Sequence, residues 1–222
     1  MKIEMLPVKE AEYQLKDYDA AVKSFDWQDA EKAFSWYESG KVNMAYEAID
    51  RHAEADKKDK VALYYQDADR KESYTFHEMK TWSNKAANVF KNSSTLTKGD
   101  RLFIFMPRSP ELYFALLGGL KNGLIVGPLF EAFMEGAVYD RLMDSEAKAI
   151  VTTPELLSRI PLDKLPALET VYLVGEGIEE TDKFVDFNKA LEEASEEFEM
   201  VWVDKEDGLI LHYTSGSTGK PK

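Results

Sequence analysis

The chain contains no cysteine, which excludes a disulfide framework, a thiolate nucleophile and a zinc–thiolate site. Histidine is scarce: His52, His77 and His212 share no metal-ligand spacing, and none is assigned as a ligand. No apolar run approaches the roughly 18 residues that a membrane-spanning helix needs. Met1-Lys2-Ile3-Glu4 is not followed by the apolar stretch of a signal peptide. These absences lead to the expectation of a cytoplasmic protein with no membrane partner. Positive charge is outnumbered, with 28 Lys and Arg against 41 Asp and Glu and a net charge of −13. That balance disfavours unspecific contact with nucleic acid, so no nucleic-acid partner is expected. Any anionic ligand must be held by local donors against the overall field. No internal repeat is visible.

What is present is a globular composition, 44% hydrophobic and 12% aromatic over 222 residues, enough to bury roughly 70% of the unfolded surface. Two zones differ in texture. Residues 17–56 are aromatic and charged and read as helical: Phe25–Trp36 carries four aromatics, with Asp26 as N-cap, and a second helical stretch runs from Asn43 to Ala55. From Val61 onward, apolar strand-like runs alternate with helical patterns. The runs are Val61–Tyr65, Leu102–Met106, Leu124–Val126, Ala149–Thr152, Val171–Val174 and Leu209–His212. The helical patterns are Phe76–Asn92, Pro110–Asn122, Glu135–Ser145, Pro154–Ile160 and Phe187–Glu197. Strands almost wholly apolar, separated by helices, predict an α/β fold: a doubly wound, mainly parallel sheet with flanking helices, behind a helical N-terminal extension. The acidic run Glu192–Glu197 reads as an exposed helix face.

The most informative segment is Thr214-Ser215-Gly216-Ser217-Thr218-Gly219-Lys220-Pro221-Lys222, directly after the last apolar run. Glycine-rich backbone can aim several N–H groups at one anion, because glycine accepts positive φ. The hydroxyls of Thr214, Ser215, Ser217 and Thr218 add donors, and Lys220 and Lys222 add positive charge. The set suits the phosphates of a nucleotide. It is not a Walker A loop: Thr214 stands where the first glycine is required, and Pro221 replaces the hydroxyl residue that would ligate Mg²⁺.

This segment resembles the phosphate-binding signature [ST]-S-G-[ST]-T-G-x-P-K-G of the adenylate-forming superfamily, up to its last glycine. Leu120-Lys121-Asn122-Gly123-Leu124-Ile125-Val126-Gly127-Pro128 is similar to that superfamily's L-K-A-G-A-x-x-V-P segment, and Lys98–Leu102 to the turn and strand before it. Upstream, Trp36, Gly40, Asn43 and Asp50-Arg51-His52 resemble the lead-in of acetyl-CoA synthetases, with Glu47 where many have asparagine. Phe105-Met106-Pro107-Arg108-Ser109-Pro110-Glu111 resembles their M-P-x-x-P-E. One stretch departs: Phe130-Glu131-Ala132-Phe133-Met134 stands where many carry F-G-G-F-S. Read alone, Asp50-Arg51-His52 suggests a helix-end ion pair and a packed imidazole.

The resemblance implies residues 1–58 as a helical extension of acetyl-CoA synthetase type, and 59–222 as the N-terminal part of a larger adenylate-forming fold. It implies an acetate–CoA ligase that uses ATP, CoA and Mg²⁺ and passes through acetyl-adenylate. Thr214, Ser215, Gly216, Ser217, Thr218, Gly219, Lys220 and Lys222 are the expected ATP contacts, and Arg159 an expected CoA contact. The Mg²⁺ ligands and the catalytic residues are expected outside these 222 residues, leaving the segment inactive alone and inclined to self-associate through an exposed sheet edge. The Phe130–Met134 departure leaves propionate or a medium-chain acid open as substrate. A non-catalytic nucleotide-binding module is the alternative of another class.

Overall fold

A computed structural model describes residues 17–92 and 96–214, and the chain divides into two compact units, Met1–Gly40 and Lys41–Lys222. The described part of the first unit holds three short helices, α1 (Tyr18–Ser24), α2 (Trp27–Glu31) and α3 (Trp36–Ser39). Asp17 and Asp26 cap the first two, their carboxylates accepting from Ala20 N–H and Gln28 N–H at 2.9 Å. Each cap satisfies a donor that the first helical turn leaves without a backbone partner. Asp26 is thus the N-cap that the sequence suggests, although its helix ends well before Trp36. Gly40, at φ 68°, closes α3 in the left-handed region that glycine enters without strain.

The expected division near residue 58 differs from the division into compact units, because Lys41–Ala55 is tied into the second unit. β1 (Lys41–Val42) pairs antiparallel with β9 (Val203–Asp204). Asn43 Nδ2 donates to Leu120 O (2.9 Å) and Val201 O (3.0 Å). A π-helical turn over Tyr46–Asp50 leads into α4 (Arg51–Ala53).

Val61–Gln66 is a strand, β2, but it lies outside the parallel sheet: it pairs antiparallel with β3 (Lys71–Thr75) in a separate hairpin. Its side chains are alternately half-buried and exposed. That pattern suits a sheet with one wet face rather than one covered on both.

The main sheet has order β5-β4-β6-β7-β8, all parallel: β4 (Arg101–Phe105), β5 (Ile125–Pro128), β6 (Ala149–Thr152), β7 (Thr170–Leu173) and β8 (Phe184–Asp186). Alternate residues feed two cores. Leu102, Ile104, Val126, Ala149, Val151 and Tyr172 meet the helices α5 (Phe76–Asn92), α6 (Pro110–Lys121) and α9 (Phe187–Glu193) on one face. Phe103, Phe105, Ile150, Val171 and Leu173 meet α7 (Glu135–Asp144) and α8 (Pro154–Leu157) on the other. The doubly wound architecture is therefore the one the apolar runs predict. Helices α5 and α6 approach so closely that a Cβ on Gly118 would stand 2.6 Å from Ala86 Cβ and 2.8 Å from Ala87 N.

Two stretches depart from the sequence reading. Leu209–His212 is not a full strand: Ile210 forms one parallel bridge to Val126. The acidic run is not a continuous helix face either. α9 stops at Glu193, and Asn88 Nδ2 on α5 donates to the Ser195 and Glu197 carbonyls at 2.8 and 2.9 Å. Asparagine donors from a neighbouring helix thus hold that backbone out of helical geometry.

The turn into β4 is held by Asp100, 8% exposed, whose Oδ2 accepts from Thr97 N–H (2.8 Å), Thr97 Oγ1 (2.9 Å) and Lys148 Nζ (3.0 Å). Burial alone would raise the Asp100 pKa; these donors outweigh it and hold the group below its ordinary value. A depressed pKa in the folded state stabilises the fold above the unfolded carboxyl's pKa, and the contribution disappears as pH falls through the folded value. Asp100→Asn is therefore expected to cost about 1.5–3 kcal/mol at neutral pH. In urea titrations the gap between the two proteins should close in acid; a gap unchanged at low pH would contradict this account.

Candidate functional site

The strand order places a topological switch between β4 and β6, since the chain runs from β4 outward to β5 and then crosses to the other side. Open α/β sheets bind ligands outside the carboxyl ends of the strands near such a point. The approach to the glycine-rich loop is fixed at this end. Val126 N–H donates to Leu209 O (3.0 Å), and Leu211 N–H donates to Val126 O (3.0 Å). Because this pairing is parallel, the chain leaves toward Thr214 at the carboxyl end of β5.

Tyr213 is pinned next. Its hydroxyl donates to Asp144 Oδ2 at 2.6 Å, at the end of α7, and its ring lies 5.7 Å from the Arg141 guanidinium. Arg141 is 7% exposed and lies 4.3 Å over the Phe133 ring, with Nη1 donating to Ala137 O at 2.7 Å. Burial first, and the Asp144 contact second, push the Tyr213 pKa up to about 12, so the phenol keeps its proton at physiological pH.

Of the residues predicted to contact ATP, Thr214 is described and exposed at the end of this segment. Ser215, Gly216, Ser217, Thr218, Gly219, Lys220 and Lys222 lie outside the described residues. Arg159, predicted to contact CoA, donates from Nη1 to Glu131 O (2.9 Å) and Phe133 O (3.3 Å). It therefore sits on the Phe130–Met134 turn, the stretch that departs from the family pattern. Phe130 and Met134 of that turn are 61% and 66% exposed.

His212 is exposed, and the His52 ring packs 5.1 Å from Phe76. The His52 pKa is lowered by burial and by the Arg51 charge. The ion pairing at Asp50-Arg51-His52 is not between neighbours. Arg51 Nη1 meets Glu47 Oε2 at 2.8 Å, and Asp50 Oδ1 meets Lys121 Nζ at 2.8 Å. Among the described residues, no group of three or more His, Asp or Glu is placed to hold a metal ion, and no helix is long and apolar enough to cross a membrane.

A parallel sheet of order β5-β4-β6-β7-β8 with helices on both faces, and residues 209–214 running along β5 toward its carboxyl end, defines a doubly wound α/β domain. The AMP-binding enzyme family model matches residues 49–222, and the chain belongs to that family. It is 58% identical over all 222 residues to the acetyl-coenzyme A synthetase of Bacillus subtilis, and spans 39% of that relative's length. The acetyl-coenzyme A synthetase of Helicobacter acinonychis is 33% identical over an alignment of 200 positions that covers 82% of this chain and 30% of that one. Among solved structures, an acyl-CoA synthetase of Brucella canis superposes with a TM-score of 0.81 at 29% identity, covering 92% of this chain and 37% of that one.

Proposed function

We propose that this chain is the N-terminal part of an acetate–CoA ligase that forms acetyl-CoA, AMP and pyrophosphate through acetyl-adenylate. The observation that carries the reading is the 58% identity, over the whole of this chain, to an acetyl-coenzyme A synthetase. In the first half-reaction an acetate oxygen attacks the α-phosphorus of ATP, and the bond to the β-phosphate breaks. Loop residues 214–222 hold the departing pyrophosphate and spread its charge, which is positioning and electrostatic work. In the second half-reaction the CoA sulfur attacks the acyl carbon and AMP leaves.

The donor set of Thr214, Ser215, Ser217, Thr218, Lys220 and Lys222 fits a polyphosphate. Arg159 fits a CoA phosphate through the guanidinium donors that are not engaged with the Phe130–Met134 turn. Mg²⁺ takes its ligands from residues beyond these 222. A cytoplasmic location, and self-association of the isolated segment through an exposed sheet edge, belong to the same proposal. The departure of Phe130–Met134 from the family pattern leaves open a second reading of the substrate, in which propionate or a medium-chain acid replaces acetate.

AMP release is the test. The full-length protein should form AMP only with a carboxylic acid, ATP and CoA together, with acetate compared against propionate and hexanoate. The isolated 222-residue chain should form none. AMP formation by the isolated chain, or a full-length protein indifferent to every acid, would overturn the proposal.

A further inference from the structure

The root of the phosphate loop is clamped by residues that no sequence pattern marks. Three groups of α7 converge on Tyr213. Asp144, the last residue of α7, accepts a hydrogen bond from the phenolic hydroxyl at 2.6 Å. Arg141, one turn earlier, lies between the Phe133 ring (4.3 Å) and the Tyr213 ring (5.7 Å). The Arg141 carbonyl stands 3.4 Å from the same hydroxyl. The backbone just before Tyr213 is fastened separately by the two hydrogen bonds to Val126. Leu211 and Tyr213 both pack on the α7 side of the sheet.

We infer that Tyr213 is a positioning residue for the adenylation half-reaction: its bond to Asp144 and its contact with the Arg141–Phe133 stack fix where the pyrophosphate-holding loop begins. Consecutive Cα atoms are about 3.8 Å apart, so a constraint at Tyr213 acts within one residue of Thr214, the first of the expected donors. An anchor at Tyr213 therefore restricts the first loop donors far more than the bridge at Ile210 can. Loop donors stabilise a leaving group only when their direction is set before the reaction. Since the phenol stays protonated, its bond to Asp144 is a fixed link rather than a switch at physiological pH. This inference rests on the ligase reading above.

The test is Tyr213→Phe in the full-length protein, which removes one oxygen and keeps the ring. A neutral donor to a carboxylate suggests about a tenfold effect. The expected result is a rise of about tenfold in KM for ATP, or an equal fall in the rate of acetate-dependent ATP–pyrophosphate exchange. KM for acetate and the rate of thioester formation from supplied acetyl-adenylate should stay within about twofold. Asp144→Ala should produce the same split, and the double variant should be no worse than either single one, because both remove one interaction. A merely structural role would move all of these parameters together or lower only the melting temperature, and that result overturns the inference. Unchanged exchange kinetics in Tyr213→Phe would also overturn it. Lys220→Ala serves as control: if it impairs exchange while Tyr213→Phe does not, the clamp alone fails; if neither impairs it, the reading of the loop fails.

Discussion

Lys121→Met is expected to destabilise the fold by about 3–5 kcal/mol, the loss typical of breaking a buried ion pair on one side. Lys121 is 0% exposed, and its ammonium meets Asp50 Oδ1 at 2.8 Å and donates to Asn84 Oδ1 at 2.6 Å. Burial pushes the Asp50 pKa up and the Lys121 pKa down, each opposed by the partner's charge. Both directions say that dehydration of the pair is expensive. A raised Asp50 pKa means that its contribution to stability is greatest in acid and falls as pH rises through the folded value. A lowered Lys121 pKa means that stability rises with pH between the folded and the unfolded value. At neutral pH the two charges are tolerated because each has the other. Without the lysine, the Asp50 carboxylate would be buried with no counter-charge and Asn84 Oδ1 would lose a donor. Adding Asp50→Leu to Lys121→Met should recover most of the loss, since a buried pair exchanged for apolar groups is often close to neutral. Urea titration followed by tryptophan fluorescence measures both. A single variant within about 1 kcal/mol of the parent, or a double variant no better than the single one, would show that the pair is not what holds the Tyr46–Asp50 turn to α6.

The second large effect concerns chemistry. Lys220→Ala in the full-length protein should slow acetate-dependent ATP–pyrophosphate exchange by about 10²–10³-fold, the usual cost of removing one donor aimed at developing charge. Negative charge gathers on the pyrophosphate as it leaves the α-phosphorus, so a lysine that holds it acts in the transition state. Thioester formation from supplied acetyl-adenylate involves no pyrophosphate and should proceed at close to the parental rate. An equal loss in both half-reactions would point to a folding defect. A loss below about threefold would remove Lys220 from the proposed site.

Sequence and structure agree best where periodicity is strong. Phe76–Asn92 is helical over the whole range expected, and the apolar runs at Leu102, Leu124, Ala149 and Val171 become β4 to β7, since strands covered on both faces need apolar residues at every position. The hairpin partner Lys71–Thr75 was missed because its residues are mostly polar and the connection Asp67–Arg70 lacks a glycine. That turn is closed by the Asp67 side chain accepting from Asp69 and Arg70 N–H instead. β8 is three residues long and too short to show a period. At the proposed site, the expected ATP-contact segment stands out in the sequence, because the hydroxyls, glycines and lysines that would carry its chemistry are adjacent in the chain. The Tyr213–Asp144 clamp joins residues 69 apart, and nothing local in either segment announces it. The helix-end ion pair and packed imidazole suggested for Asp50-Arg51-His52 are present as Arg51 with Glu47 and His52 against Phe76, but the counter-ion of Asp50 comes from Lys121, far along the chain in another segment that carries the family resemblance.

The hydrogen bonds of Asn43 carry a consequence for how the chain is made. Asn43 reaches Leu120 and Val201 across 77 and 158 residues. At about 5–20 residues synthesised per second, it waits roughly 4–15 s for the first acceptor and roughly 8–32 s for the second. During that interval the helix that carries Asp50 has no lysine to meet, and its carboxylate must stay in water. The first segment of this unit to leave the ribosome is thus among the last to be locked, and nascent chains stalled before Lys121 should leave the Lys41–Ala53 stretch open to protease.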